Sequence, residues 1–502
     1  MRVLRLFVAL VVGKLVVHLS RLSGRGGTTL PGRVARIIEP SILRRLARQC
    51  GAGRVVVSGT NGKTTTTSML AAVLRAAGQD PVHNRTGANL ISGVTASFLG
   101  RADLRGRVRA PWSLSEVDEA TMPAATSELS PRAALVTNIF RDQLDRYGEV
   151  EHTAALIRRG LERLPPDAVA LLNADDPLVA WLGEGLKARV LYYGLEVDGR
   201  AAAAAYQPAD VRNCLRCGAP YQYDVHYYAH LGRYRCPSCG WGRPAPDVAV
   251  TGLKRGGTQG SLLQVTSPFG TASLRLGLPG LYNVYNALAA AAATLALGFS
   301  PETVAAGLGD YATAFGRMET MHIEGRHVFM ALIKNPAGCN EVLYTLLEDE
   351  GPKPLVIAIN DNFADGVDVS WLWDADFEAL AAAQGDIPFA VTSGLRAEDM
   401  AVRLKYAGFD PRRVSVERDL GGALKAALSR VPAGGTLYVL PTYTAMLEMR
   451  ETVGRRGLVH HFWEDPGRAR PGPGAGAGPG ANACAGVGGG CAAPGGGGRG
   501  CA

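Results

Sequence analysis

Seven consecutive residues, Gly59, Thr60, Asn61, Gly62, Lys63, Thr64 and Thr65, have the types and spacing that hold phosphate. They follow Arg54-Val-Val-Val-Ser58, which reads as a short buried strand. The stretch from Thr64 to Ala77 reads as a helix. In that setting the glycines let backbone N–H groups turn inward around a phosphate, and the helix N-terminus adds partial positive charge. Lys63 is then placed to neutralise the β- and γ-phosphates of ATP, and the Thr64 hydroxyl to bind Mg²⁺. The general phosphate loop has another glycine five residues before Gly62. Val57 stands there, so this loop is a shortened form. A plain glycine-rich turn would not need the strand, the lysine and the threonine together.

Four cysteines suggest a second chemistry. Cys214 and Cys217 form one C-x-x-C pair, Cys236 and Cys239 another, and 18 residues lie between the pairs. Each tight turn directs two thiolates at one ion, and two such turns close a tetrahedron, as in a zinc ribbon. Four thiolates leave no open position, so Zn²⁺ here is expected to be structural. A nucleic-acid-binding finger is the other use of such a module, but the insert lacks a dense basic stripe. Cys50 and Cys339 are isolated, and Cys484, Cys491 and Cys501 lie in the tail without ligand spacing. Paired C-x-x-C without a disulfide-dense context points to a reducing, cytoplasmic setting.

A third group follows the apolar run Pro354 to Ile359. Asp361, Asp365, Asp368 and Asp374 lie close to Trp371 and Trp373, where a parallel strand would end. Open α/β sheets place their sites at such ends. An Asx-rich turn with the tryptophans packed beneath it explains the same composition, and both readings stay open on residues alone.

The elements that position these groups follow from pattern. A chain of 502 residues, 47% hydrophobic and 20% charged, is folded and too long for one core. Its net charge of +8 suits an anionic substrate or an anionic membrane surface and makes no case for nucleic acid. Residues 1–50 form a basic opening segment, and residues 51–313 a parallel α/β domain interrupted by the cysteine-bearing insert at 206–246. Strand and helix alternate again over 314–464, which reads as a second, Rossmann-like α/β domain. Residues 465–502 are Gly/Ala/Pro low complexity and are expected to be disordered. The apolar run Leu6 to Val12 is too short to span a bilayer. A helix packed on the next domain is the preferred reading, with a membrane-surface helix or a signal peptide as alternatives.

The shortened loop resembles the ATP loop of the Mur ligase superfamily, and other stretches agree in order. Thr137 to Arg146 resembles a T-N-I-x-x-D-H-L-D-R element, and Leu172 to Pro177 an N-x-D-D-P turn. Gly280 to Ala290 resembles a G-x-x-N-x-x-N-x-L-A-A helix start, and Gly316 to Glu319 a G-R-x-E junction. The resemblance implies that Glu116 ligates Mg²⁺ and that Asn286 and Arg317 contact the nucleotide. Without it, Glu116 would read as a solvated acid at a helix start.

Gln143 replaces the family's usual histidine, and Leu332 and Lys334 stand where a D-x-x-H is usual before Asn335. With the ribbon and the Asp368 loop, these departures make the chain similar to the MurT family of amidotransferase subunits. That resemblance implies ATP-dependent amidation of the D-isoglutamate α-carboxylate in lipid II, at the inner face of the cell membrane. It also implies a GatD-type class I glutaminase partner whose Cys and His are completed by Asp368. Val367 stands where that family often has Arg. An amino-acid-adding Mur ligase or a folylpolyglutamate synthase-like ligase is the alternative.

Overall fold

The computed structural model describes residues 2–22, 29–84, 88–140, 150–198, 211–309, 311 and 317–454. The expected tail at 465–502, Gln143 and the junction around Ala314 lie outside these residues.

The larger sheet has nine strands: β1 (Gly53–Ser58), β2 (Val82–His83), β3 (Trp112–Glu116), β4 (Ala133–Val136), β5 (Val169–Asn173), β6 (Arg189–Leu195), and, beyond a small hairpin, β9 (Val248–Arg255), β10 (Ser261–Ser267) and β11 (Gly270–Leu276). Their spatial order is β11-β10-β9-β6-β5-β4-β1-β3-β2. From β2 to the β6–β9 pair every pairing is parallel, whereas β9, β10 and β11 pair antiparallel. The sequence explains the division. Val55 and Val57 of β1 pack into one apolar cluster and Val56 into another, so this strand is covered on both faces. In β10 buried and exposed residues alternate, as in a strand with one face to water.

Leu281–Ala296, an alanine-rich helix, is buried along nearly its whole length, because small side chains let it lie close to the sheet and to α4 (Lys63–Ala76). The other face carries α1 (Arg2–Leu22), α2 (Leu30–Ile38), α3 (Ile42–Ala47) and α5 (Ile91–Arg101). Close approach here depends on glycine: a Cβ at Gly32 would strike the Ser92 carbonyl, and one at Gly13 would come within 3.0 Å of Leu99. Ala9 and Leu10 are fully buried, so α1 packs on the next domain, as preferred from sequence. No helix among the described residues is long and apolar enough to cross a membrane.

The insert contains a two-stranded antiparallel hairpin, β7 (Gln222–Tyr228) with β8 (Leu231–Arg235). A second sheet contains β12 (Arg317–Ile323), β13 (Arg326–Ala331), β14 (Leu355–Ala358), β15 (Ala390–Ser393), β16 (Val414–Val416) and β17 (Thr436–Pro441), in the order β12-β13-β17-β14-β15-β16. Only the β12–β13 pairing is antiparallel. Strands expected at Pro354–Ile359 and Thr436–Leu440 are therefore present, one residue adrift at most ends. Asp349 joins the two halves: Thr258 donates to it from its N–H (2.9 Å) and hydroxyl (2.7 Å), and the Tyr438 hydroxyl donates from the second sheet (2.9 Å).

Candidate functional site

The loop after β1 is shaped by two glycines that no other residue can replace without movement. Gly59 has φ +124° and Gly62 φ +82°. A Cβ on Gly59 would fall on the Thr137 hydroxyl, and one on Gly62 on the Asn286 side-chain oxygen. The loop is tied to the end of β4. Thr60 N–H donates to the Asn138 carbonyl (2.8 Å), Asn61 N–H to the Asn138 side chain (2.8 Å), and the Thr137 hydroxyl to the Asn61 carbonyl (2.7 Å). Thr60 closes the circuit, its hydroxyl accepting from Phe140 N–H at 3.0 Å. Thus the Thr137-Asn-Ile-Phe stretch acts as a brace for the loop.

Lys63 opens α4 and folds across the loop. Its ammonium donates to the Gly59 carbonyl, to the Thr60 carbonyl at 3.2 Å and to Glu119 at 3.1 Å. Next to it the Thr64 hydroxyl donates to Glu116 Oε1 at 2.9 Å. Glu116 is only 3% exposed, at the end of β3. It is therefore not the solvated helix-start acid that the residues alone suggested. Asn84 holds its backbone from both sides, donating to the carbonyl (2.7 Å) and accepting from the N–H (2.9 Å). Ligands at about 2.1 Å from an octahedral Mg²⁺ lie about 3.0 Å apart, so Thr64 and Glu116 fit one ion without rearrangement.

Asn286 sits over the same helix start, accepting from Thr66 (3.2 Å) and donating to Asn283 (3.2 Å). Thr65, beside it, is buried. Thus Gly59 to Thr65, Glu116 and Asn286 come together. Arg317 begins β12 with its backbone opposite Ala331, and its side chain lies outside the described part. Three residues not singled out from sequence also belong here: Glu119 on Lys63, Asn138 under Asn61, and Asn335. The last reaches from the second half of the chain, its Nδ2 donating to Asn61 Oδ1 at 3.4 Å while its Oδ1 caps the helix Pro336–Leu347 through Gly338 N–H. A single polar side chain leaves no periodicity, so the sequence signals were only that Asn138 lies in the Thr137–Arg146 element and that Asn335 precedes a proline at a helix start.

The four cysteines do converge. Their sulfurs lie within 4.8 Å of one another. Cys214 and Cys239 are 3.6 Å apart, and Cys217 and Cys236 are 3.4 Å apart. Four thiolates at about 2.3 Å from zinc would be about 3.8 Å apart, so the set fits that metal and not a disulfide. Each pair sits in a tight turn. Gly218 N–H donates to the Cys214 carbonyl and Gly240 N–H to the Cys236 carbonyl, with both glycines at positive φ. The Cys239 N–H, aimed at the Cys236 sulfur, lowers that thiol's pKa and so favours the thiolate a metal needs. The knuckles are tied to the connection between β5 and β6 through Trp241, whose indole donates to Glu184 (2.7 Å), and through Tyr234, whose hydroxyl reaches the Ala174 carbonyl (3.2 Å).

Asp368 lies on the second sheet's loop, exposed, with the Ser370 N–H donating to it at 2.8 Å. That N–H keeps its carboxyl below the ordinary aspartate range. Two of the other acids hold the loop to its neighbours. Asp361 pairs with Arg396 at 2.7 Å, and Asp365 accepts from the Thr444 N–H at 2.8 Å. Trp373 is not packed beneath the loop but half-exposed against Tyr406. Phe363 (88% exposed) and Val367 (60%) lie on the same loop.

Two family models match the chain: the Mur ligase middle domain over residues 57–217 and the MurT ligase C-terminal domain over 332–446. Lipid II isoglutaminyl synthase (glutamine-hydrolyzing) subunit MurT of Streptococcus pneumoniae is 35% identical over 444 residues, 88% of this chain and 95% of that protein. The same subunit of Staphylococcus aureus is 34% identical over 461 residues, 90% of this chain and 98% of that one. In fold, the chain is similar to the MurF ligase of Thermotoga maritima solved with ADP, with a TM-score of 0.57 at 13% identity over 83% of this chain and 84% of that one. The loop, the brace and the sulfur cluster thus stand in a chain that matches these relatives along nearly their full length, and it belongs to the MurT family, on the Mur ligase fold.

Proposed function

We propose that this protein is the ATP-using subunit of an amidotransferase acting on lipid II. The pairing of Thr64 with Glu116 beside Lys63 is the observation that carries the reading. It concentrates a cation, a hydroxyl and a carboxylate where a nucleotide's β- and γ-phosphates would lie. In this scheme an oxygen of the D-isoglutamate α-carboxylate attacks the γ-phosphorus and ADP leaves. Ammonia then attacks the acyl carbon, phosphate departs with the electron pair of the broken C–O bond, and the nitrogen gives up a proton. Phosphoryl transfer needs positioning and charge neutralisation more than covalent help. Lys63, released from the Gly59 and Thr60 carbonyls, meets the phosphate oxygens, while Asn286 and Arg317 hold the rest of the nucleotide. Mg²⁺ held by Thr64 and Glu116 would neutralise the charge developing on those oxygens.

Ammonia comes from glutamine hydrolysed by a separate GatD-type subunit. Each cysteine among the described residues is either buried, like Cys50 and Cys339, or held in the four-sulfur cluster. Burial pushes both isolated thiols up, Cys50 to about 11, which makes neither a nucleophile. In this reading Asp368, exposed on its loop, orients an incoming histidine of that partner. The 1–50, 51–313 and 314–464 segments then divide the work: membrane-side packing, ATP chemistry and partner docking. The work takes place at the inner face of the cell membrane, where the lipid-linked substrate resides.

The test is direct. Full-length protein is incubated with ATP, lipid II and an ammonium salt, with no amino acid added. Amidated product supports the proposal, whereas turnover only when an amino acid is supplied, with that residue ligated, assigns the chain to the amino-acid-adding ligases.

A further inference from the structure

The face of α1 turned away from the protein is largely apolar, interrupted by Arg5 and His18. At 100° per residue, Leu4, Val8, Val11, Leu15 and Leu19 fall along one narrow stripe, with Phe7 at its edge. All six are exposed, Leu4 by 66% and Leu15 and Leu19 by 54% each. The opposite face, with Ala9, Leu10 and Gly13, is the buried one. A helix of this kind on a water-soluble surface ordinarily carries polar residues outward. The adjoining α2 repeats the pattern, exposing Leu30 and Ile37 on either side of Arg33.

The basic residues on this surface outnumber the acids facing it, Asp103 near Lys14 and Glu39 near Arg5. Residues 1–38 contain seven Lys and Arg and no Asp or Glu. Arg5 and Lys14 flank the stripe on α1 itself. Apolar side chains bordered by cations match an anionic lipid surface, whose acyl boundary takes the leucines and whose headgroups take the basic residues. A second copy of the chain would set this cationic surface against itself, which opposes self-association.

We propose that the exposed stripe of α1 lies in the interface of an anionic bilayer and holds the protein flat on it, with α2 alongside. This deepens the reading above, resting on a lipid-linked substrate for its purpose but not for its test. The protein is held at the surface its substrate occupies, without a spanning segment.

Flotation with vesicles tests it. Full-length protein should float with vesicles containing phosphatidylglycerol and cardiolipin, and the bound fraction should fall with added salt. Leu15→Glu with Leu19→Glu should weaken vesicle binding at least about tenfold, because two leucines that enter the acyl boundary are each replaced by a charge. Arg5→Glu with Arg33→Glu should weaken binding to these vesicles while leaving the weak binding to phosphatidylcholine vesicles unchanged. Leu262→Glu, equally exposed on β10, should have no effect. Neither α1 nor α2 variant should alter ammonia-driven amidation of lipid II dissolved in detergent, which also reports that they fold. Wild-type binding by the leucine double variant overturns the proposal. So does loss of a co-purifying glutaminase with vesicle binding intact, which would give the stripe to a protein partner. Absence of amidation in detergent alongside normal flotation would instead strike at the catalytic reading alone.

Discussion

Gly62 and Lys63 are neighbours that fail in different ways. Gly62 must be glycine because its backbone is left-handed and because the Asn286 oxygen occupies the space of a Cβ. Gly62→Ala should cost about 1–2 kcal/mol from the backbone alone, and calorimetry should show ATP affinity reduced at least about tenfold as the loop shifts off Asn286. Lys63→Ala removes charge while leaving the backbone path intact. Its melting temperature should fall as Glu119 loses its partner, while ammonia-driven kcat per folded molecule falls about 10²–10³-fold, the scale for deleting one electrostatic stabiliser. Unchanged turnover in Lys63→Ala would show that the loop does not serve phosphoryl transfer. The glycines, the lysine and the threonine were legible from sequence because their types are diagnostic together. Glu119 and Asn84 were not, since each is an ordinary polar residue until the fold turns it toward the site.

At the scale of elements, the cysteine knuckles show what a few local turns can support. The hairpin of β7 and β8 is too small to be stable alone, and it is pinned by the sulfur cluster at one end and by Tyr234 and Trp241 against the connection between β5 and β6. Cys214→Ser should abolish stoichiometric zinc, measured by atomic absorption. It should also lower Tm by at least about 5 °C, with the ammonia-driven rate per folded molecule preserved. Protein prepared without zinc but equally stable would count against a structural metal. The spacing of these cysteines was readable because ligand turns are local. How the module docks was not, because Asp175 and Arg243, which pair at 2.5 Å beneath it, are far apart in the chain.

Across the whole molecule, two chemistries sit on two sheets. The phosphate loop belongs to the larger one and Asp368 to the smaller, with Asp349 and the Asn335–Asn61 contact joining them. Separate placement predicts separable loss. Asp368→Asn should lower glutamine-driven amidation about 10⁴-fold, the scale for mis-setting a histidine tautomer, and leave ammonia-driven amidation within about twofold. Equal loss of both, assayed with the glutaminase present, would remove Asp368 from the hydrolytic reaction. Asn335→Ala probes the joint: it removes both the helix cap and the contact to Asn61. Stability should fall by about 1 kcal/mol in a denaturant titration, and the KM for ATP should rise.

By itself the sequence determined what is local: a strand turning into a helix through glycine and lysine, paired cysteines at ligand spacing, and alternating elements that must build parallel sheets. These are properties of neighbouring residues, set by backbone freedom, side-chain type and periodicity. Tertiary structure alone decided that Glu116 is buried and Glu119 meets Lys63, how the asparagines brace the loop, and which face of α1 lies against the protein. Contacts between residues far apart in the chain depend on how whole elements pack, and no local pattern records that packing.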